Sequence, residues 1–88
     1  MKKAEFAARL AEQLQAARQA IATNDLAQLA KVAHAIAGSA GTVGYDAFTE
    51  PARELESEAA AGNAVRAAEL LALIEQLAGR VQVPEMVA

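Results

Sequence analysis

Ala33-His34-Ala35-Ile36-Ala37-Gly38-Ser39-Ala40-Gly41-Thr42-Val43-Gly44 is the stretch on which the fold turns. Alanine is the strongest helix former, so residues 33–40 read as helix. The chain's one histidine stands in this run with a glycine one turn after it. Glycine costs about 1 kcal/mol relative to alanine inside a helix. Something other than helix formation therefore favours a bare surface beside the imidazole, and the simplest reading is that another protein has to reach it.

Upstream, Leu26, Leu29, Ala33, Ile36 and Ala40 recur at spacings of three and four, the apolar stripe of a helix running from Asp25 to Ala40. At about 100° per residue, His34 falls roughly 120° from the centre of that stripe. It is off the core, on a face made by Ala27, Ala30, Lys31, Ala37, Gly38 and Gly41. Apart from Lys31, the imidazole would stand over a low, smooth floor.

The same periodicity appears three more times. Phe6, Leu10, Leu14, Ala17 and Ile21 mark a helix over residues 2–22. Phe48, Ala52, Leu55 and Ala59 mark one that starts at Asp46 or Thr49, with Pro51 in its first turn from either start, and Val65, Leu70, Leu71, Ile74 and Leu77 mark one over residues 64–78. Thr23-Asn24-Asp25, a turn bracketed by Gly41 and Gly44, and Gly62-Asn63 separate the four, and Gly79 is placed as the last cap. Tyr45 follows a glycine turn and is expected to pack over the bundle end near the second and third helices. Four helices with short connections imply an all-α, antiparallel up-down four-helix bundle over residues 1–80, with 81–88 as a flexible C-terminal tail.

The bulk composition agrees. The chain has 88 residues, enough for one small domain, and is 55% hydrophobic with a net charge of -3. No basic cluster beyond Lys2-Lys3 is present, which argues against nucleic acid. No apolar run is long enough to span a membrane, and Glu5, Arg9 and Glu12 interrupt any signal-peptide core. A cytoplasmic, monomeric domain is the expectation. Cysteine is absent, so disulfides and thiolate metal sites are excluded.

His34 has no second histidine, and the same face of its helix carries no carboxylate, so no metal site is expected. A hydrolytic triad needs a nucleophile and an orienting carboxylate at hand, and Ser39 points elsewhere. No glycine-rich phosphate loop precedes a helix, so kinase activity is excluded. Two readings stay open on the residues alone, an ordinary exposed histidine and a nucleophile near neutral pH. For the second, the remaining chemistry is phosphoryl transfer, with the metal and geometry supplied by a partner.

The stretch from Ala33 to Gly44, followed by Phe48, Leu55 and Glu56, resembles the histidine-containing phosphotransfer domains of bacterial phosphorelays. The pattern is a histidine, a glycine four residues on with small residues around it, a second glycine soon after, and a Leu-Glu pair one helix later. The similarity covers roughly residues 3–78 and is specific between Ala33 and Glu56. It implies that His34 is phosphorylated through Nε2 and that Gly38 lets the receiver domain of a response regulator come close. It also implies that the receiver brings the phosphoacceptor Asp and Mg²⁺. The chain would be a stoichiometric carrier between receiver domains and a sensor or hybrid histidine kinase, with no cofactor of its own and no turnover alone. The alternative is a helical docking module that binds a receiver or kinase without carrying phosphate.

Two departures stand out. Many family members have Lys three residues after the histidine, where this chain has Ala37; Lys31 and Arg53 are the candidates to support a phosphoryl group instead. The short extra helix that often precedes the bundle in such domains is not expected in this sequence. Among the remaining residues, Glu56 reads as a solvated residue or the salt-bridge partner of Arg53 three positions away. Gly41 and Gly44 read as turn residues with positive φ.

Overall fold

A computed structural model describes residues 3–82, and the side chains of residues 5–79 within them. Four helices follow one another: α1 (Lys3–Ala22), α2 (Leu26–Val43), α3 (Asp46–Ala60) and α4 (Ala64–Gln82). Each packs on two neighbours, α1 on α2 and α4, α3 on α2 and α4. With connections of only two or three residues, successive helices run antiparallel, giving the all-α up-down bundle.

Local chemistry sets the helix ends. Asn24 takes a left-handed φ of +57°, and Asp25 then caps α2, its Oδ1 accepting from the Gln28 N–H at 3.1 Å. At the far end of α2, Gly44 turns left-handed at φ +82°, and the Tyr45 N–H returns to the Ala40 carbonyl at 2.9 Å. This turn reverses the chain from α2 into α3 in two residues and so fixes how those helices pair.

Three sequence expectations are corrected here. Gly41 belongs to α2, which runs three residues past Ala40, and only Gly44 has the positive φ. Pro51 lies in the second turn of α3, not the first, because the helix begins at Asp46. Its ring removes the N–H that would pair with the carbonyl of Ala47, an exposed residue. Gly79 does not end α4, which continues through Val81 and Gln82. The rest of the expected tail, residues 83–88, lies outside the described residues.

The core follows the predicted stripes on α1, α2 and α3. Phe6, Leu10, Leu29, Ile36, Phe48, Leu55 and Ile74 are fully buried, each burial contributing about 1.5–3 kcal/mol before entropy is counted. On α4 the stripe shifts. Val65 is 78% exposed and Leu77 only half-buried, while Ala67 and Ala78 are inside with Leu70, Leu71 and Ile74. Ile21 and Leu26 sit half-buried at the rim. All three aromatic residues meet in one cluster: Phe6 stacks on Tyr45 at 5.2 Å and meets Phe48 edge-on at 5.7 Å. Tyr45 therefore covers the bundle end where α2 turns into α3, and it reaches α1 as well. Ion pairs lace the outside, Arg18 with Glu75 between α1 and α4, and Arg66 with Glu54 between α4 and α3.

Candidate functional site

The α2 helix carries His34 on its outer face, clear of the Leu29, Ala33, Ile36 and Ala40 stripe. The imidazole is 77% exposed, as its angular position predicts. Its Nδ1 faces the carboxylate of Glu56 on α3, 3.3 Å from Oε1 and 3.2 Å from Oε2. A carboxylate only accepts hydrogen bonds, so in the neutral imidazole the proton of this pair sits on Nδ1. The lone pair is then left on Nε2, the ring nitrogen furthest from the backbone. Such an arrangement favours one tautomer and one ring orientation of the neutral imidazole and leaves Nε2 without a partner among the described residues.

Glu56, read from the sequence as a solvated residue or the partner of Arg53, has a different partner in the structure. It pairs with His34, and no ion pair joins it to Arg53 among the described residues. The signal was present in the topology. A tight turn at Gly44-Tyr45 folds α3 back along α2 and brings position 56 level with position 34.

Around the imidazole the surface is low. Gly38 and Gly41 are exposed, Ala27 is exposed, and Ala30 and Ala37 are half-buried. A Cβ added at Gly38 or Gly41 would meet nothing within 4 Å, so the packing of the bundle does not require glycine at either position. Both lie inside the helix, where glycine is unfavourable. Helix fraying is no explanation for Gly38, since α2 continues to Val43 and the Thr42 hydroxyl donates to the Gly38 carbonyl at 3.0 Å.

The two candidate cations are placed differently. Lys31 lines a groove between α1 and α2 with Glu12, Gln13 and Val32, on the opposite side of α2 from Glu56. Arg53 is exposed on α3, one turn before Glu56. Neither makes a hydrogen bond or ion pair with His34 among the described residues. Those residues contain no group of three His, Asp or Glu side chains able to hold a metal, and no helix long and apolar enough to cross a membrane.

No curated protein and no solved structure gives a significant match. The sequence model of one family, described as the Hpt domain, matches residues 3–83, nearly the whole chain and all four helices. Hpt domains are phosphotransfer domains that work with receiver domains and kinases in two-component phosphorelays. The all-α four-helix bundle is the fold of that family, and the chain belongs to the Hpt domain family.

Proposed function

We propose that this chain is a phosphocarrier in which Nε2 of His34 accepts a phosphoryl group from the phospho-Asp of a receiver domain and later donates it to another. The observation that carries the proposal is the pairing of Nδ1 with Glu56 on a side chain that is 77% exposed, which in the neutral imidazole leaves the lone pair on Nε2. In the forward step an N–P bond forms as the P–O bond to the receiver aspartate breaks. The carboxylate leaves on the receiver, and the Nδ1 proton stays on the imidazole, whose developing positive charge Glu56 faces. Receiver-bound Mg²⁺ steadies the transferring group; the chain itself contributes no metal and no cofactor.

The floor of Ala27, Ala30, Ala37, Gly38 and Gly41, with Lys31 at its α1 edge, is the docking surface that lets a receiver cleft close over the imidazole. Transfer is stoichiometric, the chain acts as a monomer, and the site of action is the cytoplasm, where the kinases that feed such relays find ATP. The test is to mix the purified chain with a phosphorylated receiver and Mg²⁺ and follow acid-labile, base-stable label. The wild type takes label and His34→Gln does not, while both melt alike. Label retained by His34→Gln overturns the assignment.

The alanine at position 37 favours a second reading, a module that docks on a receiver or kinase without carrying phosphate. It is distinguished by a wild-type chain that binds a receiver, takes no label, and keeps its affinity on His34→Ala.

A further inference from the structure

Loading the carrier changes what stands opposite Glu56. A neutral imidazole that attacks through Nε2 keeps its Nδ1 proton, so the phosphorylated ring is formed as a cation. That proton decides whether the phosphoryl group can leave again. With it in place, the N–P bond breaks and the ring departs as a neutral imidazole. Once Nδ1 has lost it to water, breaking the same bond would expel an imidazolide anion, a far poorer leaving group. The ring must then regain the proton before it can donate.

The group that meets Nδ1 in this chain carries a full negative charge. Both oxygens of the Glu56 carboxylate lie at hydrogen-bond distance, Oε1 at 3.3 Å and Oε2 at 3.2 Å, so either can accept. No other charged side chain contacts the pair among the described residues. On α2, Lys31 lines the groove toward α1 with Glu12. On α3, Arg53 makes no ion pair with Glu56, and Glu58 accepts from Asn63. On α4, Arg66 holds Glu54 and Glu69, while Glu75 holds Arg18 of α1. A neutral acceptor in place of Glu56, such as an amide oxygen, would also orient the ring. Only a carboxylate favours the charged ring as well, because hydrogen bonds between ionised groups are roughly twice as strong as neutral ones.

We infer that the charge of Glu56, and not only its position, keeps the Nδ1 proton on the phosphorylated ring and so holds phospho-His34 in the form that can give its phosphoryl group away; this rests on the carrier reading above. In the donating step the N–P bond breaks as a P–O bond forms to the receiver aspartate. The electron pair of the broken bond returns to Nε2, and the Nδ1 proton stays where it is, facing Glu56. The carboxylate itself neither gives nor takes a proton. Its charge thus acts on release from the loaded chain, whereas its position serves acceptance and release alike.

The experiment compares wild type with Glu56→Gln, which keeps an acceptor oxygen and removes the charge. Both are loaded with phosphoramidate, freed of it, and mixed with an unphosphorylated receiver and Mg²⁺ at a series of pH values between about 6 and 9, the span around the usual imidazole range. The ratio of the two donation rates at each pH cancels the receiver's own pH response. At the acid end both rings hold their proton, and the two should donate alike. At the alkaline end Glu56→Gln should donate about three- to fivefold more slowly, the upper range for a charge pair at an exposed site. Phosphorus NMR of the loaded chains gives a second reading: the ring of Glu56→Gln should lose its proton at a lower pH than that of wild type. A ratio that stays flat across the series, whether at one or below it, overturns this inference and leaves the carrier reading standing. So does an unchanged NMR titration. A wild type that takes no label from phosphoramidate or from a phosphorylated receiver overturns both.

Discussion

His34 and Glu56 stand on different helices, 22 positions apart in sequence, with Nδ1 of the imidazole 3.2 Å from one carboxylate oxygen and 3.3 Å from the other. The pair is solvent-facing, so its weight lies in orientation and not in stability. Exposed ion pairs contribute about 0–1 kcal/mol.

Glu56→Ala should therefore leave the melting temperature nearly unchanged and slow phosphoryl transfer to His34 by about tenfold, the low end for residues that orient a reactive imidazole. Glu56→Gln should do better than Glu56→Ala, since its amide oxygen still accepts from Nδ1–H. Nitrogen NMR of the imidazole gives an independent reading. Wild type should populate the Nδ1–H tautomer and Glu56→Ala should populate it less. An unchanged tautomer ratio with slowed transfer would mean that Glu56 acts on the partner instead.

The core tolerates far less. Ile36 lies on the inner face of the helix that displays His34, and it is fully buried, as is Leu55 opposite on α3. Ile36→Ala or Leu55→Ala should cost about 2–5 kcal/mol, a large part of what an 88-residue domain has. Chemical denaturation should show the loss directly, and transfer should fail in parallel with unfolding. A variant that keeps its midpoint would show that the α2–α3 interface is not where the bundle is held.

The α2–α3 turn is a third test. Gly44 has φ +82°, a region that disfavours any residue with a Cβ, although no atom crowds the place where that Cβ would go. Gly44→Ala should destabilise by about 1 kcal/mol through the backbone alone. That corresponds to a melting temperature lower by about 4–8 °C for a domain of this size. Gly44→Asn should be milder, because asparagine tolerates the left-handed region.

Much of this was legible in the chain itself, and the misses share physical causes. Stripes on α1, α2 and α3 were readable because Phe6, Leu29, Ile36, Phe48 and Leu55 are large and strictly periodic. On α4, Leu70, Leu71 and Ile74 were readable too, but the rest of the face was not, because alanine gives little hydropathic signal. Ala67 and Ala78 are buried, whereas Val65 in the first turn of α4 remains in solvent. Glycine misled as punctuation: Gly41 and Gly79 are carried through by helices that continue past them, and only Gly44 and Gly62 take the left-handed turn. His34 was identifiable from its angle off the stripe. Its partner was not, since a contact between positions 34 and 56 appears only after the turn at Gly44-Tyr45 has fixed the register of two helices.

Gly38 separates stability from function most sharply. It is exposed inside α2, and an added Cβ would meet nothing within 4 Å. Gly38→Ala should stabilise the bundle by about 1 kcal/mol, because alanine gains helix propensity without a clash. Thermal melting should register this as an increase, opposite in sign to Gly44→Ala. Transfer should respond to size in the other direction. A methyl group one turn from the imidazole raises the floor slightly, and Gly38→Gln raises it enough to hold a receiver away, so the rate should fall from wild type through alanine to glutamine while stability does not fall in step. Label acquired directly from a small phosphodonor should be spared in both variants, since no protein then has to approach. If Gly38→Gln takes phosphate from a receiver as fast as wild type, this face of α2 is not where the receiver docks. If Gly38→Ala lowers the melting temperature, glycine is needed by the helix itself, and the open surface beside His34 loses its functional explanation.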